Sequence, residues 1–240
     1  MIRSLQILSL LLSYPTQEIA QAASAFDEVL AGEGLLPKAV LKKLAKLNAE
    51  IADGELYDNQ ERYIMLFDRS RSLSLHLFEH VHGESRDRGQ AMVDLMSVYQ
   101  AKGLEISAKQ LPDYLPLFLE FLATLSLDEA RDMLGDPLHI FAALKERLAR
   151  RKSIYAAVFQ AIEVIAGSTV NAADVEALLQ VPEDDPNDLE ALDEIWEEEA
   201  VSFGPGPGSN AAAPCGPDRL GAQLRAGMRP PPEVNSHTGE

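Results

Sequence analysis

The chain has 240 residues, 46% of them hydrophobic, which is ample for one ordinary domain with a real core and a tail. Its formal charge is −17 with no basic stripe to offset it, which argues against a phosphate backbone as partner and favours a basic one. The only cysteine, Cys215, permits neither an internal disulfide nor a cysteine-held cluster, and fits a reducing compartment.

The first segment, "MIRSLQILSLLLSYPTQEIAQAASA", has the outline of a weak secretory leader. However, Ser4, Gln6, Ser9 and Ser13 interrupt its apolar run, and Leu5, Leu8, Leu11 and Leu12 keep helical spacing. An amphipathic first helix ending at Pro15 is the better reading. Thr16 caps a second helix to about Ala31, broken by "GEG", and Pro37 opens a third with Val40, Leu41, Leu44, Leu47 and Ile51 along one side. Further helices are expected over "ELYDNQERYIMLFD", "SLSLHLFEHVHG", "RDRGQAMVDLMSVYQAKG" (capped by Ser85) and the strongly apolar "LPDYLPLFLEFLATL". "SLDE" at 126–129 is a capping box; Pro137 precedes "LHIFAALKERLARR" and Ser153 starts "IYAAVFQAIEVIAG". No alternating β-branched run competes, no stretch is long enough to span a membrane, and the expected class is all-α, a single multi-helix bundle.

Residues 1–182 form the expected helical domain and carry only −7 of the charge. Segment 183–200 holds ten acidic residues and no basic one, and reads as an acidic helix presenting Leu189, Leu192, Ile195 and Trp196. Residues 201–240 include seven prolines and read as a disordered tail. The acidic segment suits a cap over apolar surface or a solubilising face.

One run concentrates chemistry: "HLFEHVHGESRDRG", His76–Gly89. Its first five residues match H-x-x-E-H, with His76 and His80 one helical turn apart as zinc ligands and Glu79 as general base of a hydrolase. A five-letter pattern with two free positions arises easily by chance, and the helix carrying it is brief. A surface histidine cluster beside Glu79 and Arg86, or a recognition surface, are the other readings. With no triad, phosphate loop or cysteine pair elsewhere, neither a catalytic nor a metal site is assigned, and the protein is not expected to be an enzyme.

The longer segment "YIMLFDRSRSLSLHLFEHVHGESRDRGQAMVDLM", together with "LSLLLSYP" and "LPDYLPLFLEFL", resembles the NarJ-type assembly chaperones of respiratory nitrate reductase, a branch of the redox-enzyme maturation chaperones. The likeness runs from about residue 4 to about residue 200. It implies a cytoplasmic, all-helical chaperone without catalysis or a cofactor of its own. Its client would be the catalytic (alpha) subunit of membrane-bound nitrate reductase, bound through its N-terminal peptide while the molybdenum cofactor is inserted and before membrane docking. Residue by residue, the wider group's aromatic-x-x-Leu-Phe motif falls on Tyr63, Leu66 and Phe67, and its Pro-Asp-His motif on Pro112, Asp113 and Tyr114, where tyrosine replaces histidine. The His76–Gly89 run is that branch's signature, which adds His76, Glu79, His80, Glu84 and Arg86 to the expected peptide-binding set.

Tyr63, Leu66 and Phe67 share a helical face, which suits either an apolar groove for an amphipathic client helix or plain core packing. Asp113, Glu79 and Glu84 are expected at its rim, facing basic client residues. Protonation of His76 and His80 would then weaken capture of a basic peptide as pH falls from about 7.5 to 6.

Overall fold

Two helices are apolar nearly all round, and the fold is built around them: α7 (Leu115–Ala123, LPLFLEFLA) and α10 (Ala156–Ala166, AAVFQAIEVIA). A helix without a polar stripe has to be enclosed on every side. Helix α1 (Arg3–Leu11) covers α7 and touches α10, while α9 (Leu138–Arg150), α8 (Leu127–Gly135) and α3 (Lys38–Asp53) pack around α10. Helix α2 (Gln17–Glu33) bridges α1 and α3, and α11 (Ala172–Leu179) lies on α9. This computed structural model describes residues 1–82, 86–106 and 110–181, except the side chains of His82 and Arg86; all described residues fall in one compact unit. Both the expected acidic segment 183–200 and the 201–240 tail lie outside them. Among the described residues there is no strand, and no helix is long and apolar enough to cross a membrane.

Leu5, Leu8, Leu11 and Leu12, the stripe that a leader peptide would waste, are fully enclosed in the core. The start of α1 is fixed from outside: Glu33, the last residue of α2, accepts from the amides of Arg3 (2.8 Å) and Ser4 (2.7 Å). That satisfies two of the amides every helix leaves unpaired at its N-terminus. Thr16 caps α2 through the Ile19 amide, and Ser126 and Glu129 form the expected reciprocal box on α8. Gly34 and Gly167 close α2 and α10 in the left-handed region (φ 72° and 68°), where a side chain is strained.

Two segments depart from simple helix. The expected "ELYDNQERYIMLFD" helix is α4 (Leu56–Tyr63) followed by a π turn, Ile64–Asp68, closed by the Arg69 amide donating to the Ile64 carbonyl (3.1 Å). The expected "SLSLHLFEHVHG" helix is broken into a 3-10 turn (Arg71–Leu73), an extended stretch, and α5 (Leu77–His82). Serine chemistry explains the break. Ser70 and Ser72 hydroxyls bond each other (2.7 Å), and the Ser74 hydroxyl accepts from the His76 amide (3.2 Å), offering the backbone partners that a helix would otherwise supply. Arg147 of α9, only 3% exposed, pins the neighbourhood by donating to the carbonyls of Ser72 and Leu178 (both 2.6 Å).

Candidate functional site

Helix α5 has six residues, too short to be stable without outside support. It is held by Asp113 from the loop before α7. The Asp113 carbonyl accepts from the Leu77 amide (3.1 Å), its Oδ2 from the Phe78 amide (3.1 Å), and its Oδ1 lies 3.2 Å from His76 Nδ1. One residue thus caps a helix that belongs to a different part of the chain. The return contact, Leu115 amide to Leu75 carbonyl (2.8 Å), completes an isolated antiparallel bridge between His76 and Tyr114. Pro112 is buried, its carbonyl taking the Tyr99 hydroxyl at 2.7 Å.

This arrangement corrects the sequence reading of Asp113. Its side chain is 0% exposed, so it meets no partner at a rim; it is consumed in holding α5 and His76. Tyr63 and Phe67, 3% and 5% exposed, take the second of their two readings, core packing. Their rings meet at a 58° tilt with centroids 5.0 Å apart, Phe67 meets Tyr155 edge-on at 5.2 Å, and the Tyr63 hydroxyl donates to the Leu12 carbonyl (2.9 Å), 3.1 Å from the Tyr114 hydroxyl. Burial, reinforced by Tyr114, pushes the Tyr63 phenol pKa far up, so it stays protonated. Leu66 is half-buried against the core, and the Tyr114 ring lies 5.4 Å from that of His76.

The histidines are not helical neighbours. His76 precedes α5, so the one-turn spacing a zinc motif needs is not formed. His80 Nε2 sits 2.8 Å from the Ser74 carbonyl, which leaves that nitrogen committed to the backbone. Burial, with Arg147 nearby, lowers the His80 pKa below 6.5, so it takes up charge less readily than a free imidazole as pH falls. Glu79 pairs with Arg88 at 3.0 Å, and no group of three or more metal-ligating side chains occurs among the described residues. Glu84 and the Arg86 side chain lie outside them.

What α5 contributes to the surface is a wall. Leu77, Phe78 and Val81 face Ala91, Leu95 and Val98 of α6 (Arg86–Ala101) across an apolar groove of about 500 Å³. Its floor includes Phe118, Met133 and Ile140, and Asp94, Asp136 and His139 stand on its margin. Val81 is 53% exposed and Val98 39%, and α6 buries only Tyr99 fully among its described side chains. Sequence reasoning missed this lining. The signal was present in α6, which carries Val93, Met96 and Val98 outside the strip needed for burial, an excess of apolar residues over what its packing uses.

A family model described as nitrate reductase delta subunit matches residues 33–161. The chain belongs to this family. It is 40% identical over 238 residues to the nitrate reductase molybdenum cofactor assembly chaperone NarJ of Escherichia coli K12, covering 98% of each chain. To the NarW assembly chaperone of the same organism it is 39% identical over 199 residues, 83% of each. Both of these relatives are described as nitrate reductase molybdenum cofactor assembly chaperones. In fold, it is similar to a crystal structure from Archaeoglobus fulgidus described as a redox enzyme maturation protein, with TM-score 0.51 and 20% identity over 70% of this chain and 95% of that one.

Proposed function

We propose that this chain is a chaperone dedicated to respiratory nitrate reductase. It captures the N-terminal peptide of the unfinished catalytic subunit in the α5–α6 groove, before molybdenum cofactor insertion and membrane docking. The single observation that carries this reading is the groove itself: an exposed apolar trough of about 500 Å³ with carboxylates on its margin. An amphipathic segment would seat its i, i+3, i+4 and i+7 side chains against Val81, Leu95, Val98 and Met133, while Asp94 and Asp136 meet basic residues beside that stripe. Support also comes from the relatives, whose names place them in cofactor assembly. The signature residues act one step back: Asp113, His76 and Tyr114 set the wall that does the touching.

Magnitudes fit a transient partner. Seating one large apolar side chain returns about 1.5–3 kcal/mol. Ordering the client costs about 1–2 kcal/mol for each residue fixed. Four anchors return about 6–12 kcal/mol against about 8–16 kcal/mol for ordering the eight residues they span, so capture is weak unless the segment is already partly helical, which suits a protein that must release its client. Calorimetric titration of the full chain with the catalytic subunit's N-terminal peptide tests the reading, with Val98→Asp as the key variant. A buried, unpaired carboxylate costs at least about 1–3 kcal/mol, so capture should weaken roughly 10–100-fold with folding unchanged. Equal affinity of wild type and variant would remove the groove from the function.

A further inference from the structure

A buried guanidinium ties the end of α11 to the platform beneath the groove. Arg147 of α9 donates through Nη1 to the Ser72 carbonyl (2.6 Å) and through Nη2 to the carbonyls of Leu178 (2.6 Å) and Val181 (3.4 Å). Leu178 and Val181 stand at the C-terminal end of α11, where a helix leaves carbonyls without internal partners and favours a cation. Ser72 belongs to the 70–76 strap, and that strap carries the α5 wall. The Ser74 carbonyl lies 2.8 Å from His80 Nε2, the Ser74 hydroxyl accepts from the His76 amide (3.2 Å), and the Leu75 carbonyl takes the Leu115 amide (2.8 Å). Short polar contacts thus run without a break from α11 through Arg147 and the strap to α5, and so to Leu77, Phe78 and Val81 in the groove.

We propose that Arg147 is a positioning residue for the groove. It makes the order of the α5 wall depend on the docking of α11, so that undocking α11 loosens the wall and releases what the groove holds. The coupling concerns this chain alone, while the release rests on the function proposed above. Coupling of this kind needs an element with two states, and α11 supplies one. It has eight residues, below the length at which a helix is stable by itself, and none of its side chains is fully buried. Such segments open locally at a small fraction of the free energy of global unfolding.

With α11 docked, the Arg147 guanidinium is shut away from water, where a charged donor bonds a carbonyl most strongly. With α11 gone, the Leu178 and Val181 acceptors leave, and water competes for the donors that face the Ser72 carbonyl. The six residues of α5 have little stability of their own, so slack in the strap reaches them directly. Arg151 also donates to the Ser70 and Ser72 hydroxyls (3.3 and 3.5 Å), so the strap slackens without coming free of α9. Linkage makes the effect reciprocal: an occupied groove steadies α5 and the strap, and thereby holds α11 down.

The test is amide hydrogen exchange on the full chain carrying Ala177→Pro, an exposed interior position of α11. The proline removes a helix donor and clashes with the preceding turn, which multiplies α11 opening roughly a hundredfold or more. Couplings between sites run about 5–150-fold, so the amides of Ser74, Leu77 and Phe78 should exchange at least roughly fivefold faster, beyond any change at Ala130 of α8. Arg147→Met should speed the same amides, and adding Ala177→Pro to it should then change them less than about twofold, a non-additivity that plain loss of stability does not produce. Unchanged α5 amides in Ala177→Pro, α11 amides that stay protected despite the proline, or full additivity with Arg147→Met would each overturn the coupling. Calorimetric titration with the catalytic subunit's N-terminal peptide reads the release: Ala177→Pro should bind at least roughly fivefold more weakly than wild type, and equal affinity would overturn it. If wild type itself does not bind the peptide, the function proposed for the groove falls, and the exchange data still decide the coupling.

Discussion

Replacing Asp113 by alanine separates a structural clamp from a direct client contact. The carboxylate is wholly enclosed and accepts from the Phe78 amide at 3.1 Å and from the His76 side at 3.2 Å. A hydrogen bond to a charged acceptor contributes about 1.5–3 kcal/mol, and losing a helix cap about 0.5–2 kcal/mol, terms that overlap for Phe78. Against them, the variant no longer buries a carboxylate, which recovers part of the desolvation cost. The net expected loss is about 2–3 kcal/mol, and at about 2–4 °C per kcal/mol for a domain of this size Tm should drop about 4–12 °C. Asp113→Asn keeps one acceptor oxygen and should lose about half as much. Thermal unfolding by circular dichroism reads the first effect, and amide exchange at Leu77 and Phe78 reads its location. Because α5 is one wall of the groove, client-peptide affinity should fall in step with stability. An Asp113→Ala protein with unchanged Tm but lost capture would refute the clamp and return this carboxylate to the interface.

Burial lowers the His80 pKa below 6.5, so the unfolded chain binds more protons than the folded one once pH drops under that value. The stabilising contribution is therefore complete above pH 6.5 and declines as pH falls from there to the folded pKa; Tm measured at pH 7.5, 6.5 and 5.5 should fall less steeply for His80→Gln than for wild type. Tyr63→Phe removes a buried donor from the Leu12 carbonyl and should cost about 1 kcal/mol in denaturant unfolding. In spectrophotometric titration Tyr63, Tyr99, Tyr114 and Tyr155 should all ionise late, since burial raises each phenol and takes Tyr155 to about 12. Ser126→Ala breaks the capping box of α8 and should lower stability by about 1 kcal/mol, with Ser126→Gly milder.

The helical class, most helices and their caps were legible in the chain because they depend on neighbours three or four residues away. The 3.6-residue spacing of Leu5, Leu8 and Leu11, the Ser126–Glu129 pair, and the glycines at 34 and 167 all act locally, and each does what its sequence says. The zinc-like spacing failed for a reason equally local but easily overlooked: the serines at 70, 72 and 74 draw the backbone away from helix just before His76. The family likeness was legible too, since it rests on residue identities.

The use of the motif residues was not legible. Sequence alone cannot distinguish a conspicuous aspartate that faces a partner from one that caps a helix thirty-five residues away, because the difference is burial, and burial is set by everything packed around it. Tertiary contact turned Tyr63, Phe67 and Asp113 inward and left Val81 and Val98 facing outward. The chain specified which helices form; only their packing decided which apolar side chains would be left over to make a groove, since that remainder belongs to the whole assembly and to no single segment.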